Sequence, residues 1–341
     1  MRSAGGRGIS LPRYGVCSAA LIEAFVFLTF GFCCHRPGKG AAGTPRQLTC
    51  YKRSLRIGIH TSRSKSLENS GLEAHRVGGN TFQIFSASPR MWRASRPDPT
   101  DIARLTAVRQ RFDLSPLVIH TNYLVNLASL DPEIRSKSVA SFRGELDRAN
   151  AIAADYLVLH PGNFKGQSLE QGLAAFALGL AESATGFSAP GLTVLLENTV
   201  GSGHQIGRRF EELRMIRDLA ARETDLPIAY CLDTCHLFAA GFNIVDPAGL
   251  TETVASADKI LGLDQVKVIH ANDSKGALGS HLDRHENIGK GQIGEAGFAR
   301  ILTHPKLRDK PFILETPVET DEAARRDIDA LKRLSAEPDT M

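Results

Sequence analysis

From Leu55 onward the chain repeats one pattern of apolar and polar positions. A short run rich in β-branched residues ends in a polar residue and is followed by a longer stretch of helical periodicity. Eight runs fit: RIGIH, TFQIF, PLVIH, YLVLH, TVLLE, IAYCLD, VKVIH and PFILE. Their near-continuous apolar character is that of parallel strands covered on both faces. Between them lie amphipathic segments. SLEQGLAAFALGLAESAT opens with a capping box of Ser168 and Gln171, and DPEIRSKSVASFRGELDRANAIAA carries an apolar face. Eight strands, each followed by a helix, predict an α/β fold, a (β/α)8 TIM barrel over residues 55–341.

Six of the strand ends are ionisable: His120, His160, Glu197, Asp233, His270 and Glu315, spaced 40, 37, 36, 37 and 45 residues apart. Each interval is about one strand plus one helix, so the six side chains fall on one ring at the C-terminal mouth, where barrel enzymes assemble their active sites. Any one of them alone reads as a hydrogen-bonded structural residue. Six together predict a polynuclear metal centre. Imidazole and carboxylate donors without thiolate suit zinc, with manganese or iron as substitutes.

The segment CLDTCH, residues 231–236, places two cysteines, an aspartate and a histidine side by side. A turn is expected after Asp233, which puts His236 three residues into a loop, too displaced to share a site with Asp233 and so serving a separate metal. Cys231 lies a pleat deeper and reads as core filling, while three residues between the cysteines argue against a redox pair. Downstream, Asp283 and His285 are two apart, so an extended segment presents both on one face as partners for His236. The same stretch contains GKGQIG, which follows no strand; its glycines read as turn formers and the dinucleotide-binding reading fails.

Composition changes two points. At 42% hydrophobic and 23% charged the chain is globular, and its net charge of +4 is unevenly placed. Residues 1–54 hold eight of the 41 basic residues and one of the 37 acidic ones, leaving 33 basic against 36 acidic in the remainder. The basic balance is therefore no argument for nucleic-acid binding. Four of the six cysteines also lie in residues 1–54, so the barrel has no disulfide framework and fits a reducing, cytoplasmic compartment. Residues 1–54 form an N-terminal extension: three arginines, an apolar run interrupted by Glu23, then a Gly- and Pro-containing linker. That reads as a signal peptide, a membrane anchor or an over-extended reading frame.

The motifs FSASPRMWR, HTNYLVNL, HPG, ENTVGSG, CLDTCHLFAAGFN, HANDSK, GSHLDRHENIGKGQIG and ILET, in this order, resemble the endonuclease IV family, zinc-dependent AP endonucleases with a TIM-barrel fold. The resemblance runs from about residue 56 to about residue 334. It implies three zinc ions: one held by His120, His160 and Glu197, a second by the bridging Glu197 with Asp233, His270 and Glu315, a third by His236, Asp283 and His285. Glu197 and Glu315 would be catalytic, and a metal-bound hydroxide would cut duplex DNA 5′ to an abasic site. By the same resemblance Arg90, Tyr123 and Leu124 contact the DNA and fill the gap left by the flipped nucleotide. His60 would support the site from behind. The protein is expected to act as a monomer without a nucleotide cofactor. Two departures bear on DNA contacts: the first βα loop, HTSRSKSLENSG, lacks the family's Gly-Gly, and Asn163 stands where Ser is common. The competing readings are a metal-dependent sugar isomerase or epimerase on the same barrel, which has no use for the third donor set, and a non-catalytic damage-binding module.

Overall fold

Alternation along each run decides which side chains meet. In β5 (Thr193–Glu197), Val194 and Leu196 pack outward beneath the helices, whereas Leu195 and Glu197 point into the barrel. The same alternation holds in β1 (Ile57–His60), β2 (Thr81–Phe85), β3 (Leu117–His120), β4 (Tyr156–Leu159), β6 (Ile228–Asp233) and, from Val268 onward, β7 (Val266–His270), whose pairing with β6 shifts between Tyr230 and Cys231. After β7 comes a hairpin of two short antiparallel strands, β8 (Asp273–Ser274) and β9 (His285–Glu286), and then β10 (Phe312–Leu314). In this computed structural model, which describes residues 55–336, β1 to β7 and β10 close into one parallel barrel, with β10 seated between β7 and β1. The N-terminal extension read in residues 1–54 lies outside the described residues.

Two cores result. Inside the barrel, Val118, Val158, Leu195, Ala229, Cys231, Val268 and Ile313 fill the axis. Outside it, Phe82, Phe142, Phe176, Phe210 and Phe298 help to seal the strands to the helices. These helices are α1 (Leu67–Arg76), α2 (Pro99–Phe112), α3 (Pro132–Ala151), α4 (Leu169–Ser183), α5 (Phe210–Ala220), α6 (Thr234–Ala240), α7 (Pro247–Ile260), α8 (Gly294–Thr303) and α9 (Asp321–Ser335). The capping box expected at Ser168 and Gln171 is formed at the start of α4, and Asp131 caps α3. Among the described residues no helix is long and apolar enough to cross a membrane.

The loops at the mouth are held from below by buried polar groups. Ser86, Glu145 and Arg148 form a closed network: Ser86 donates to Glu145, Arg148 Nε donates to Ser86 Oγ at 2.7 Å, and Arg148 Nη2 pairs with Glu145 at 3.0 Å. Asn122 Nδ2 joins it through Ser141 Oγ at 2.9 Å and Glu145 Oε1 at 3.3 Å. The second and third βα loops are thereby tied to α3, and the Tyr123 amide bonds to the Pro89 carbonyl at 3.1 Å.

The GKGQIG segment wraps a carboxylate. Asp273, fully buried, accepts from the amides of Ser274, Gly289, Gly291, Ile293 and Gly294 at 2.8–3.4 Å. Glycine is required where the wrap is tightest: a Cβ on Gly291 would lie 2.5 Å from Asp273 Oδ1, and Gly289 has φ +77°. The glycines are turn formers as read from the sequence, and the reason for the turn is this anion. Replacing Asp273 by Ala strands five donors in a buried site, so it should cost about 3 kcal/mol or more, with Asp273→Asn intermediate. Urea unfolding of the three proteins checks this; a loss under about 0.5 kcal/mol for the alanine variant would show the cage to be incidental.

Candidate metal centre

The barrel register brings the six strand-end residues together. His160 and Glu315 sit one residue past β4 and β10; the other four close their strands. Glu197 is the hub, with no solvent contact. His120 Nε2 and His160 Nε2 lie 3.1 and 2.9 Å from its Oε2, and His270 Nδ1 lies 2.9 Å from its Oε1. His270 Nδ1 is also 3.3 Å from Glu315 Oε2.

Among the described residues three donor groups of imidazole and carboxylate alone emerge: His120, His160 and Glu197; Glu197, Asp233, His270 and Glu315; and His236, Asp283 and His285. Within each, the ligand atoms lie inside 4.8 Å of one another. All nine ligands read from the sequence fall into these groups, with Glu197 common to two of them.

His236 is reached differently from the way its spacing suggested. It does not follow a loop: the strand passes directly into α6, with Asp233 as N-cap accepting from the His236 amide at 2.8 Å. Its Nδ1 lies 2.9 Å from the Asn198 carbonyl and 3.9 Å from Asp233 Oδ1, so Nε2 turns toward Asp283 and the two side chains fall into different donor groups. Asp283 and His285 arrive on the β8–β9 hairpin, and His285 Nδ1 lies 3.2 Å from the Glu315 carbonyl. His120 Nδ1 likewise lies 2.8 Å from the Thr121 carbonyl. A carbonyl can only accept, so in each case Nδ1 carries the proton and Nε2 is the nitrogen presented to the group.

The donor chemistry fits a bound cation. His236 Nε2 and His285 Nε2 are buried without a hydrogen-bond partner, and both converge on Asp283 Oδ1, at 3.3 and 3.4 Å. Buried nitrogens left unpaired around one carboxylate oxygen are the arrangement a divalent ion completes. Electrostatics point the same way. Burial opposes ionisation of Glu197, yet His270 and His160 hold it well below the usual carboxylate range. Burial also disfavours a charged His236, but Asp233, Asp283 and Glu197 outweigh it and push the ring up to about 10. Asp283 is drawn down to about 2 against its burial, by His236 and His285. The cluster demands positive charge.

Three amide and hydroxyl side chains escaped the sequence reading because each looked like ordinary loop polarity. Asn272 Nδ2 donates to Asp233 Oδ2 at 2.6 Å while its Oδ1 accepts from the Glu315 amide at 2.7 Å. Asn198 Oδ1 accepts from the Asp233 amide at 2.7 Å, and Thr234 Oγ1 donates to the Asn272 carbonyl at 2.7 Å. The thiols border the donor groups: Cys231 lies beside Glu197 and His270, Cys235 beside Asp233 and His285. Burial pushes both up to about 12, so they are neutral. His60 Nδ1 stands 3.8 Å from Glu315 Oε1. Arg90, Tyr123 and Leu124 lie on the second and third βα loops beside the mouth. Tyr123 is 69% exposed, its ring edge-on to Phe85 at 5.2 Å, and Phe85 in turn meets His120 at 5.8 Å. Clefts of about 780 and 350 Å³ open beside His60 and Phe85, and beside His120 and His160.

A family profile described as a xylose isomerase-like TIM barrel matches residues 72–334. A Solibacter usitatus protein named probable endonuclease 4 is 62% identical over 281 residues, 82% of this chain and 97% of that protein. Its namesake in Halothermothrix orenii is 42% identical over 264 residues, covering 77% and 94% of the two chains. Among solved structures, endonuclease IV from Thermus thermophilus superposes with a TM-score of 0.72 at 35% identity, covering 82% of this chain and 99% of that one.

Free imidazole titrates near 6.5, whereas His236 without a cation holds its proton up to about 10. A cation entering the His236–Asp283–His285 group at pH 7 must expel that proton. Zinc affinity there should rise about tenfold per pH unit for the proton displaced, until about pH 10. Calorimetric titration of chelator-treated protein in two buffers of different ionisation enthalpy reads the release; binding with no proton released at pH 7 would contradict the charge state assigned to His236.

Proposed function

The chain belongs to the endonuclease IV family, and from that premise we propose that it is a DNA-repair hydrolase that cuts the phosphodiester 5′ to an abasic site in duplex DNA, leaving a 3′-hydroxyl and a 5′-deoxyribose phosphate. Its three donor groups would hold three zinc ions, with Glu197 belonging to the first two groups. One observation carries the reading above the rest: a third group, His236, Asp283 and His285, assembled outside the ring of strand ends. A sugar isomerase or epimerase of the same barrel class would leave that group without work.

What zinc supplies at such a site is Lewis acidity, a lowered pKa for water and neutralised charge on the phosphodiester oxygens. The chain supplies placement. Glu197, with an oxygen toward each of two groups, fixes their spacing from a position that water does not reach. Glu315 and Asp283, both partly exposed, form the edge that faces substrate, so Glu315 is assigned the orientation of the attacking water. Arg90, Tyr123 and Leu124 are assigned to the gap left when the abasic nucleotide leaves the stack. The buried Ser86–Glu145–Arg148–Asn122 network under their loops favours that role, because a wedge between base pairs must be stiff. On this reading the protein works in the cytoplasm on chromosomal DNA, as a monomer without a nucleotide cofactor.

The test is an end-labelled duplex carrying one abasic site. Incision immediately 5′ of the lesion, an extendable 3′-hydroxyl, loss of cutting on chelation and return with zinc are expected. A zinc-loaded protein that leaves the duplex intact would overturn the reading. Glu315→Gln should still bind abasic DNA while cleavage falls by about a thousandfold or more, and unchanged cleavage would remove Glu315 from the chemistry.

A further inference from the structure

Beneath the mouth one buried amide touches three ionisable side chains. Gln83 points inward from β2, with no solvent contact. Its Nε2 donates to Glu315 Oε1 at 2.5 Å and lies 3.0 Å from His60 Nδ1, while its Oε1 lies 2.9 Å from His270 Nε2.

Donor and acceptor logic then leaves one arrangement. An ionised carboxylate only accepts, so the edge of Gln83 that faces Glu315 is the NH2 and the opposite edge is the oxygen. Facing that oxygen, His270 must carry a proton on Nε2, so Nδ1, 2.9 Å from Glu197 Oε1 and 3.3 Å from Glu315 Oε2, is the nitrogen left to give up its proton to a cation. The second amide proton meets His60 Nδ1, which must accept; His60 is the neutral form with its proton on Nε2. With Oε1 of Glu315 occupied by Gln83, Oε2 is the oxygen turned toward His270 Nδ1.

We infer that Gln83 is a positioning residue whose single amide sets the tautomers of His270 and His60 and selects the oxygen of Glu315 offered to a cation. His120, His236 and His285 are fixed by backbone carbonyls, which no substitution removes. His270 depends on a side chain, so its donor atom can be switched by one mutation. The consequence for zinc rests on the function proposed above; the tautomers themselves do not.

Long-range ¹H–¹⁵N spectra of the zinc-loaded wild-type protein test the assignment directly. The expected pattern is a protonated Nε2 with a metal-bound Nδ1 for His270, and a neutral Nε2–H ring for His60; a protonated Nδ1 on either ring overturns the inference. Two variants test the consequence. Gln83→Leu keeps volume without hydrogen bonds, and Gln83→Glu keeps the acceptor for His270 while removing both donors. Both should lower zinc affinity at the Glu197–Asp233–His270–Glu315 group about 10–100-fold, so that a competing chelator strips one ion before the other two. For abasic duplex kcat should fall with KM unchanged, and Gln83→Glu should be the worse because its carboxylate abuts Glu315. Wild-type zinc affinity in both variants also overturns the inference. Should a variant fail to fold, the wild-type spectra still decide; should the wild type fail to cut abasic DNA, the nuclease reading falls while the spectra still judge Gln83.

Discussion

A carboxylate removed from water sets the terms for the whole mouth of this barrel. Glu197 has no solvent contact, and a buried carboxyl either gathers positive charge at bonding distance or takes up a proton. Alternation on β5 compels the burial: Leu195 fills the axis, so Glu197, two residues on, must point into the same interior. The ends of β3, β4 and β7, of which only β4 pairs with β5, answer with His120, His160 and His270, all within 3.1 Å of its oxygens. The imidazoles in turn need fixed tautomers, which is why Thr121 and Gln83 appear behind two of them. One buried charge thus propagates outward into a shell of donors, and that shell into the polar side chains that orient it.

This dependence also explains what could be read from the chain and what could not. The eight strands were legible because parallel strands covered on both faces are continuous in their apolar character, and the donors were legible because ionisable residues stand out against such runs. Gln83 left no comparable signal. It is one polar residue inside TFQIF, and its partner Glu315 is 232 positions away. Helix α6 was missed for a related reason: TCHLFAA is short and carries almost no charge pattern, so Asp233 was seen as a ligand and not as the cap that starts the helix. The glycines of GKGQIG announced a turn, but only the folded chain brings Asp273 into the middle of it. Periodic burial is written locally; polar side chains that meet across the barrel have no period to betray them.

The third donor group shows what such long-range contacts accomplish. His236 lies on α6, and Asp283 and His285 lie on a hairpin about fifty residues later, so strand pairing alone does not set their separation. Bonds from other atoms do. Thr234 Oγ1 donates to the Asn272 carbonyl at 2.7 Å and accepts from its amide at 2.9 Å, and the amides of Gly279 and His281 bond to the carbonyls of Phe238 and Ala239 at 3.1 and 2.9 Å. On the hairpin's other side the Asp273 cage fixes β8, which pairs with β9 and so carries His285. The donor atoms themselves are spared from this scaffolding. His236 Nε2 and His285 Nε2 make no well-formed hydrogen bond and meet the Asp283 carboxylate at 3.3 and 3.4 Å. Donors so loosely bonded keep their places because the surrounding bonds hold the geometry without their help. The scaffold therefore holds the third donor group together through bonds that the two Nε2 atoms do not make.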